Sequence, residues 1–163
     1  MNKKVLCGAF IIISLLIIFL IIIYSIYVIF FKKSQTCDSY KNNIIDLNES
    51  NYTNILKAAN ENIDSYIGVK VRVIGYVYRL IYFNESQFVV ARDMKLNNSS
   101  QSLIVGFLCE SKNAFKYPDG TWVEVVGIIK RGKLYEELAI LEVTSIREVS
   151  KPKHIFVNPP GKG

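Results

Sequence analysis

The chain has 163 residues, half of them hydrophobic, with 20 lysines and arginines against 14 acidic residues and a formal charge of +6. That length accommodates one domain and its attachments rather than two. Lys3, Lys4, Lys32 and Lys33 flank a single apolar run, and past Ser34 the balance is 16 basic against 14 acidic residues, an excess too small for a surface that neutralises phosphates.

Residues 1–4 form a short polar flank. From Val5 to Phe31 the chain is apolar, relieved only by small residues, Cys7 and the tyrosines Tyr24 and Tyr27. As a helix this run extends roughly 40 Å, enough to cross a hydrocarbon core of about 30 Å with some tilt. A cleaved signal peptide has an apolar core of about 7 to 15 residues ending at small residues. A lipoprotein anchor needs a cysteine directly after the run, whereas Cys37 lies beyond Lys32 and Lys33. Residues 5–31 are therefore read as a transmembrane helix, with the lipid bilayer as the first partner. The lysine pairs nearly balance under the positive-inside rule. The short leading flank and its amine favour a single-pass signal anchor with the rest of the chain outside the cytoplasm.

Residues 32–49 are polar, with little periodicity apart from Ile44 and Ile45, and read as a linker. Over 50–67, Tyr52, Ile55, Leu56, Ala59 and Ile63 recur at helical spacing, with Ser50 or Asn51 placed to cap the first turn and Gly68 to end the helix. The period then changes to two. Val69, Val71, Val73, Val77 and Ile81 alternate with Lys70, Arg72, Tyr76, Tyr78 and Tyr82, which predicts a strand with one buried face. Further strands are expected at about Gln87 to Asp93, Leu103 to Cys109, Thr121 to Lys130 and Leu138 to Val149. A short helical segment, Ser111 to Lys116, and the turn Pro118, Asp119, Gly120 precede the fourth strand, and Arg131, Gly132 and Lys133 are read as the last hairpin turn. Three strands, a short helix and two strands over 68–150 is the layout of an OB-type five-stranded barrel. Its long first strand must bend to serve both sheets, for which Gly75 is suited, as Gly127 is in the fourth. The fold class is therefore mainly β: an OB-like barrel preceded by a short helix and a transmembrane helix, with residues 151–163 as a C-terminal tail.

Catalytic chemistry is not encoded in any recognisable constellation. His154 is the only histidine and reads as an exposed tail residue; Asp93, Glu124 and Glu142 lie on strands without a paired carboxylate. The expected site is non-catalytic and needs no cofactor or metal. Cys37 and Cys109 are either a disulfide pair or two free thiols. One surface pattern stands out. Lys70, Arg72, Tyr76 and Tyr78 interleave basic and aromatic groups on the outward side of the first strand, as a single-stranded nucleic-acid platform does, and as an amphipathic strand covered by its neighbours also does. The near-neutral charge of the domain argues against nucleic acid, while Trp122 reads as a packing residue at the barrel end.

The stretch from Gly68 to Pro159, including "VRVIGYVYR", "QFVVARDM", "TWVEVVGIIK" and "EVTSIREVSKPKHIFV", resembles the C-terminal domain of the YcgQ-type family, also called DUF1980 or UPF0703. The segment "QFVVARD…DGTWVEVVGIIKRG" is also similar to the tRNA_anti-like OB domains of bacterial lipoproteins and membrane-anchored proteins. The first resemblance implies work alongside a multi-pass permease and a link to metal homeostasis. In that pattern an adjacent Cys-Cys follows the arginine matching Arg92, whereas Asp93, Met94, Lys95 and Leu96 stand here. Amide and thioether groups do not replace two thiolates as soft-metal ligands, so the resemblance implies an accessory module without that metal chemistry. A surface module for a glycan, peptide or other oligomeric ligand is the alternative.

Overall fold

The computed structural model describes residues 16–27, 43–96 and 101–161, and the chain divides into two compact units, Met1–Ser39 and Tyr40–Gly163. In the first unit, residues 16–27 form a helix (α1) whose side chains are all exposed. Among the described residues no helix is long and apolar enough to cross a membrane. The rest of the expected 5–31 span, the 1–4 flank and residues 32–42 lie outside the described residues.

The second unit is mainly β and closes into a five-stranded OB-like barrel. Its strands are β2 (Lys70–Tyr78), β3 (Gln87–Lys95), β4 (Ser102–Glu110), β5 (Trp122–Lys133) and β6 (Glu137–Glu148). Hydrogen bonding runs β2-β5-β6-β4-β3 and returns from β3 to β2, with β4 and β6 parallel and the other barrel pairs antiparallel. The valine alternation of β2 places Val71, Val73 and Val77 inside, against Phe88, Phe107, Val125, Ile129 and Leu141. β2 pairs with β5 from Lys70 to Tyr76 and with β3 only from Tyr76 to Tyr78, so it changes sheets towards its end. Gly75 makes this possible. A Cβ there would lie 2.5 Å from the Ala91 carbonyl oxygen and 2.9 Å from Val90 Cγ2. At the second expected glycine, the β5–β6 register shifts between Val126 and Gly127.

The helical segment over 50–67 is two pieces, α2 (Tyr52–Glu61) and α3 (Ile63–Tyr66), ended as expected by Gly68 at φ 85°. The expected cap is not used. The Asn51 side chain turns back, accepting from the Asn48 N–H at 2.8 Å and donating to the Asp46 carbonyl at 3.0 Å. α2 carries Tyr52 and Ala59 into the barrel core, where the Tyr52 and Phe107 rings meet edge-on. The last hairpin also differs from expectation: Arg131, Gly132 and Lys133 remain in the ladder opposite Ala139, Leu138 and Glu137, and the chain reverses at 134–136. Gly132 is there because the Ile140 side chain occupies the space of its missing Cβ.

Two short strands complete the unit where a linker and a free tail were expected. β1 (Ile45–Leu47) lies parallel beside β2, and β7 (Phe156–Val157) parallel beside β3. The segment after β6 is a strap fastened at its far end. Asn158 N–H donates to the Glu49 carbonyl at 2.9 Å, Thr53 Oγ1 to the Asn158 carbonyl at 2.6 Å, and Gly161 N–H to Asn54 Oδ1 at 2.8 Å.

Candidate binding face

Where β2 and β3 part beyond Ala91, the gap between them is filled by Arg92. This side chain is 6 % exposed. Its guanidinium donates to the Ile74 carbonyl on β2 at 3.1 Å and to the His154 and Ile155 carbonyls of the strap at 2.5 and 3.2 Å. It also sits 5.5 Å from the centre of the Trp122 ring. Burial lowers its pKa from the ordinary value, opposed by Tyr52 and then by the Glu49 and Asp93 carboxylates. His154 is exposed, as expected, but its backbone holds this arginine.

On the outer surface beside this seam, Tyr76 and Tyr78 of β2 stand opposite Ala91 and Val89 of β3. Val89 in turn is opposite Leu108 of β4, and Leu108 opposite Ile140 of β6. With Phe107 and Cys109 turned inward, Leu108 turns outward, yet Ala91, Leu108 and Ile140 are 0 %, 5 % and 6 % exposed and stand apart from the interior core. The barrel therefore has an apolar floor on its outside. Aromatic side chains border it. Tyr76 meets Trp122 edge-on at 5.6 Å between ring centres and donates to Asp93 Oδ1 at 3.2 Å. From the β2–β3 loop, Tyr82 packs on Phe83 at 5.4 Å and reaches Tyr135, in the β5–β6 turn, at 5.6 Å. Ile81, which precedes Tyr82, is fully exposed. Burial and then Asp93 push the Tyr76 hydroxyl up to about 12, and Tyr82 is raised by partial desolvation and by Tyr135.

Of the four expected site residues, Tyr76 and Tyr78 belong to this face and Lys70 and Arg72 do not. Arg72 is four residues before Tyr76, beyond the bend at Gly75, and pairs with Asp46 of β1 at 2.9 Å. Lys70 lies further along, opposite Ile128. Trp122, expected as packing alone, is a member; Ile81 and Tyr82, expected to continue the first strand, stand in the loop because β2 ends at Tyr78, and Tyr135 escaped sequence reasoning because only the closed barrel brings its turn to that loop. Strands β3 and β4 with the first and last hairpin loops are where OB barrels receive extended ligands.

The arginines around the face are already committed. Besides Arg72 and Arg92, Arg79 binds Asp119 at 2.5 Å, Arg131 binds Asp64 and Glu137 at 2.5 Å each, and Arg147 binds Glu124 at 2.8 Å. Lys130 pairs with Glu142. All five arginines of the second unit are thus held within the protein. Cys109 is a free thiol sealed inside the barrel, its pKa raised by burial, which makes it a poor nucleophile or metal ligand.

The family model for the DUF1980 C-terminal domain matches residues 31–159. No curated protein matches the chain. Among solved structures, the chain is similar to a small single-stranded DNA-binding protein of Streptomyces coelicolor, at 14 % identity over 50 % of this chain and 92 % of that one, with a TM-score of 0.35. It is also similar to the N-terminal domain of the PriB protein of Thermoanaerobacter tencongensis, at 14 % identity, 50 % and 97 % coverage, and a TM-score of 0.34. A third is the mitochondrial single-stranded DNA-binding protein Rim1 of S. cerevisiae, at 13 % identity, 52 % and 97 % coverage, and a TM-score of 0.33.

Proposed function

Because the chain belongs to the DUF1980 C-terminal domain family, we propose that it is a membrane-anchored, non-catalytic OB-type binding module, an accessory to an integral membrane protein. The apolar run over 5–31 holds it in the bilayer, and the barrel stands outside the cytoplasm. The partner class is a multi-pass permease, as the resemblance to YcgQ-type proteins implies. The barrel receives an uncharged polypeptide segment of that partner along its outer face.

The observation that carries this reading is the aromatic border, Trp122, Tyr76, Tyr82 and Tyr135, over an apolar floor with the arginines already paired. Exposed tyrosine supplies large contact area at low entropic cost, while free cations, which a phosphate chain requires, are not concentrated there. Nucleic acid is the third reading for that reason. A second, a glycan ligand, is favoured by the Tyr76–Asp93 hydrogen bond, whose hydroxyl and carboxylate suit sugar hydroxyls.

The test is affinity capture of the full chain from detergent-solubilised native membranes, with and without Tyr82→Ala and Tyr135→Ala. The expected result is a multi-pass membrane protein recovered with the native chain and depleted with the double variant, while Lys70→Ala with Arg72→Ala leaves recovery unchanged. Equal recovery by both variants sinks the assignment of this face.

A further inference from the structure

β4 is bonded along its whole length to β3, but on its other side it meets β6 only from Leu108 to Glu110. Among the described residues, no strand covers that side from Ser102 to Gly106. Leu103 and Ile104, on opposite faces of this edge, are 49 % and 50 % exposed. From Ser102 to Cys109 the sequence SLIVGFLC contains neither charge nor proline. Soluble proteins ordinarily blunt an open edge with lysine, proline or a bulge, because unpaired N–H and C=O groups recruit another strand. The other open stretches of this sheet are blunted in that way. β1 has three residues and carries Asp46, β7 is followed by Pro159 and Pro160, and the end of β6 carries Arg147 and Glu148.

We propose that this edge pairs with the same edge of a second copy of the chain, antiparallel, about a two-fold axis at Ile104. Ser102 then faces Gly106, Leu103 faces Val105, and Ile104 faces its own counterpart. A second copy is the occupant that this sequence fits. An isologous contact requires a patch complementary to itself, and every facing pair in this register joins small or apolar side chains without like charges. The axis at Ile104 places the two exposed large apolar side chains at the centre of the contact. Phe107, held from inside by Tyr52 of α2, marks where the pairing ends. The result is one sheet continuous through two barrels, from the strap of one to the strap of the other. It leaves the aromatic face over Val89 and Leu108 open, so it stands independently of what binds there.

The experiment uses the full chain in mild detergent, with Cys7→Ser and Cys37→Ser and with buried Cys109 as common background. Facing residues of antiparallel strands have Cα atoms about 4.5 to 5.5 Å apart, within the span of a disulfide. Ile104→Cys should cross-link into a covalent dimer under mild oxidation, whereas Tyr135→Cys stays monomeric. Ile104→Lys should weaken self-association, read by native mass spectrometry, by roughly tenfold or more with an unchanged circular dichroism spectrum, since two ammonium groups would face each other. Uncross-linked Ile104→Cys, a native chain that is monomeric at micromolar concentration, or self-association indifferent to Ile104→Lys each overturns the proposal.

Discussion

The hydroxyl of Tyr52 donates a hydrogen bond to the carbonyl of Val90 across 2.7 Å, joining the first turn of α2 to a barrel strand 38 residues later. The bond is buried, so the helix is stitched to the barrel by a polar contact as well as by packing.

Tyr52→Phe should cost about 0.5 to 1.5 kcal/mol, because it removes one buried hydrogen bond while the Val90 carbonyl stays within the β3–β4 ladder. It should also change the alkaline limb of stability. The Tyr52 and Tyr76 hydroxyls are both raised above the ordinary tyrosine value, chiefly by burial, the second to about 12. Above about pH 10 the unfolded chain has lost these protons while the folded one keeps them, so stability is complete below that pH and falls as pH rises. Denaturant melts from pH 8 to 11 should show the fall in the native chain and a shallower one in Tyr52→Phe. Identical slopes would remove Tyr52 as its source.

Gly75→Ala should be costly although it adds one carbon. The new Cβ meets backbone, the Ala91 carbonyl oxygen, and backbone at a strand crossing yields only by opening the β2–β3 seam. A loss of about 1 to 3 kcal/mol is expected, and more for Gly75→Val. At Gly120 a Cβ would meet nothing, but φ is 83°, so Gly120→Ala costs about 1 kcal/mol from backbone strain alone. Thermal melts that rank Gly120→Ala as the worse change would refute the bend argument.

Arg92→Lys should not preserve what Arg92 does. Three carbonyls from two segments need a planar fork, and one ammonium cannot reach all of them. A loss of about 2 to 4 kcal/mol is expected. Hydrogen exchange should quicken in Phe156 and Val157 before it does in β5 and β6; uniform acceleration would show that Arg92 does not govern the strap.

In intact cells carrying Cys7→Ser, a membrane-impermeant thiol reagent should label Cys37 directly and Cys109 only after denaturation, since Cys109 is buried with its thiol held protonated. Cys37 labelling that requires lysis would reverse the proposed orientation.

The barrel is legible in the sequence wherever alternation is long enough to fix a face. Lys70–Tyr78 and Trp122–Lys130 announce themselves, and Gly75 announces the bend. β1 and β7 do not, because three and two residues have no period; they exist through pairing with β2 and β3. Gly132 misleads in the opposite sense. A glycine between two cations imitates a turn, but here it makes room for Ile140. The face is half legible. Tyr76 and Tyr78 follow from strand parity, whereas Arg72 shares that parity and is carried elsewhere by the bend, and the meeting of Tyr82 with Tyr135 depends on closure of the whole barrel.

The parallel pairing of β1 with β2 also sets how the domain carries load. Tension on the segment ahead of Ile45 pulls along the strand axis, so the β1–β2 bonds share it in shear instead of parting one by one as in an unzipping hairpin. The strap end is fixed to the same region, through Glu49, Thr53 and Asn54. A pull applied between the two ends of the domain therefore falls first on those fastenings, then on β7 and the Arg92 bonds, before it reaches the closed ladder of five strands. A force between its two ends is thus taken up away from the aromatic face.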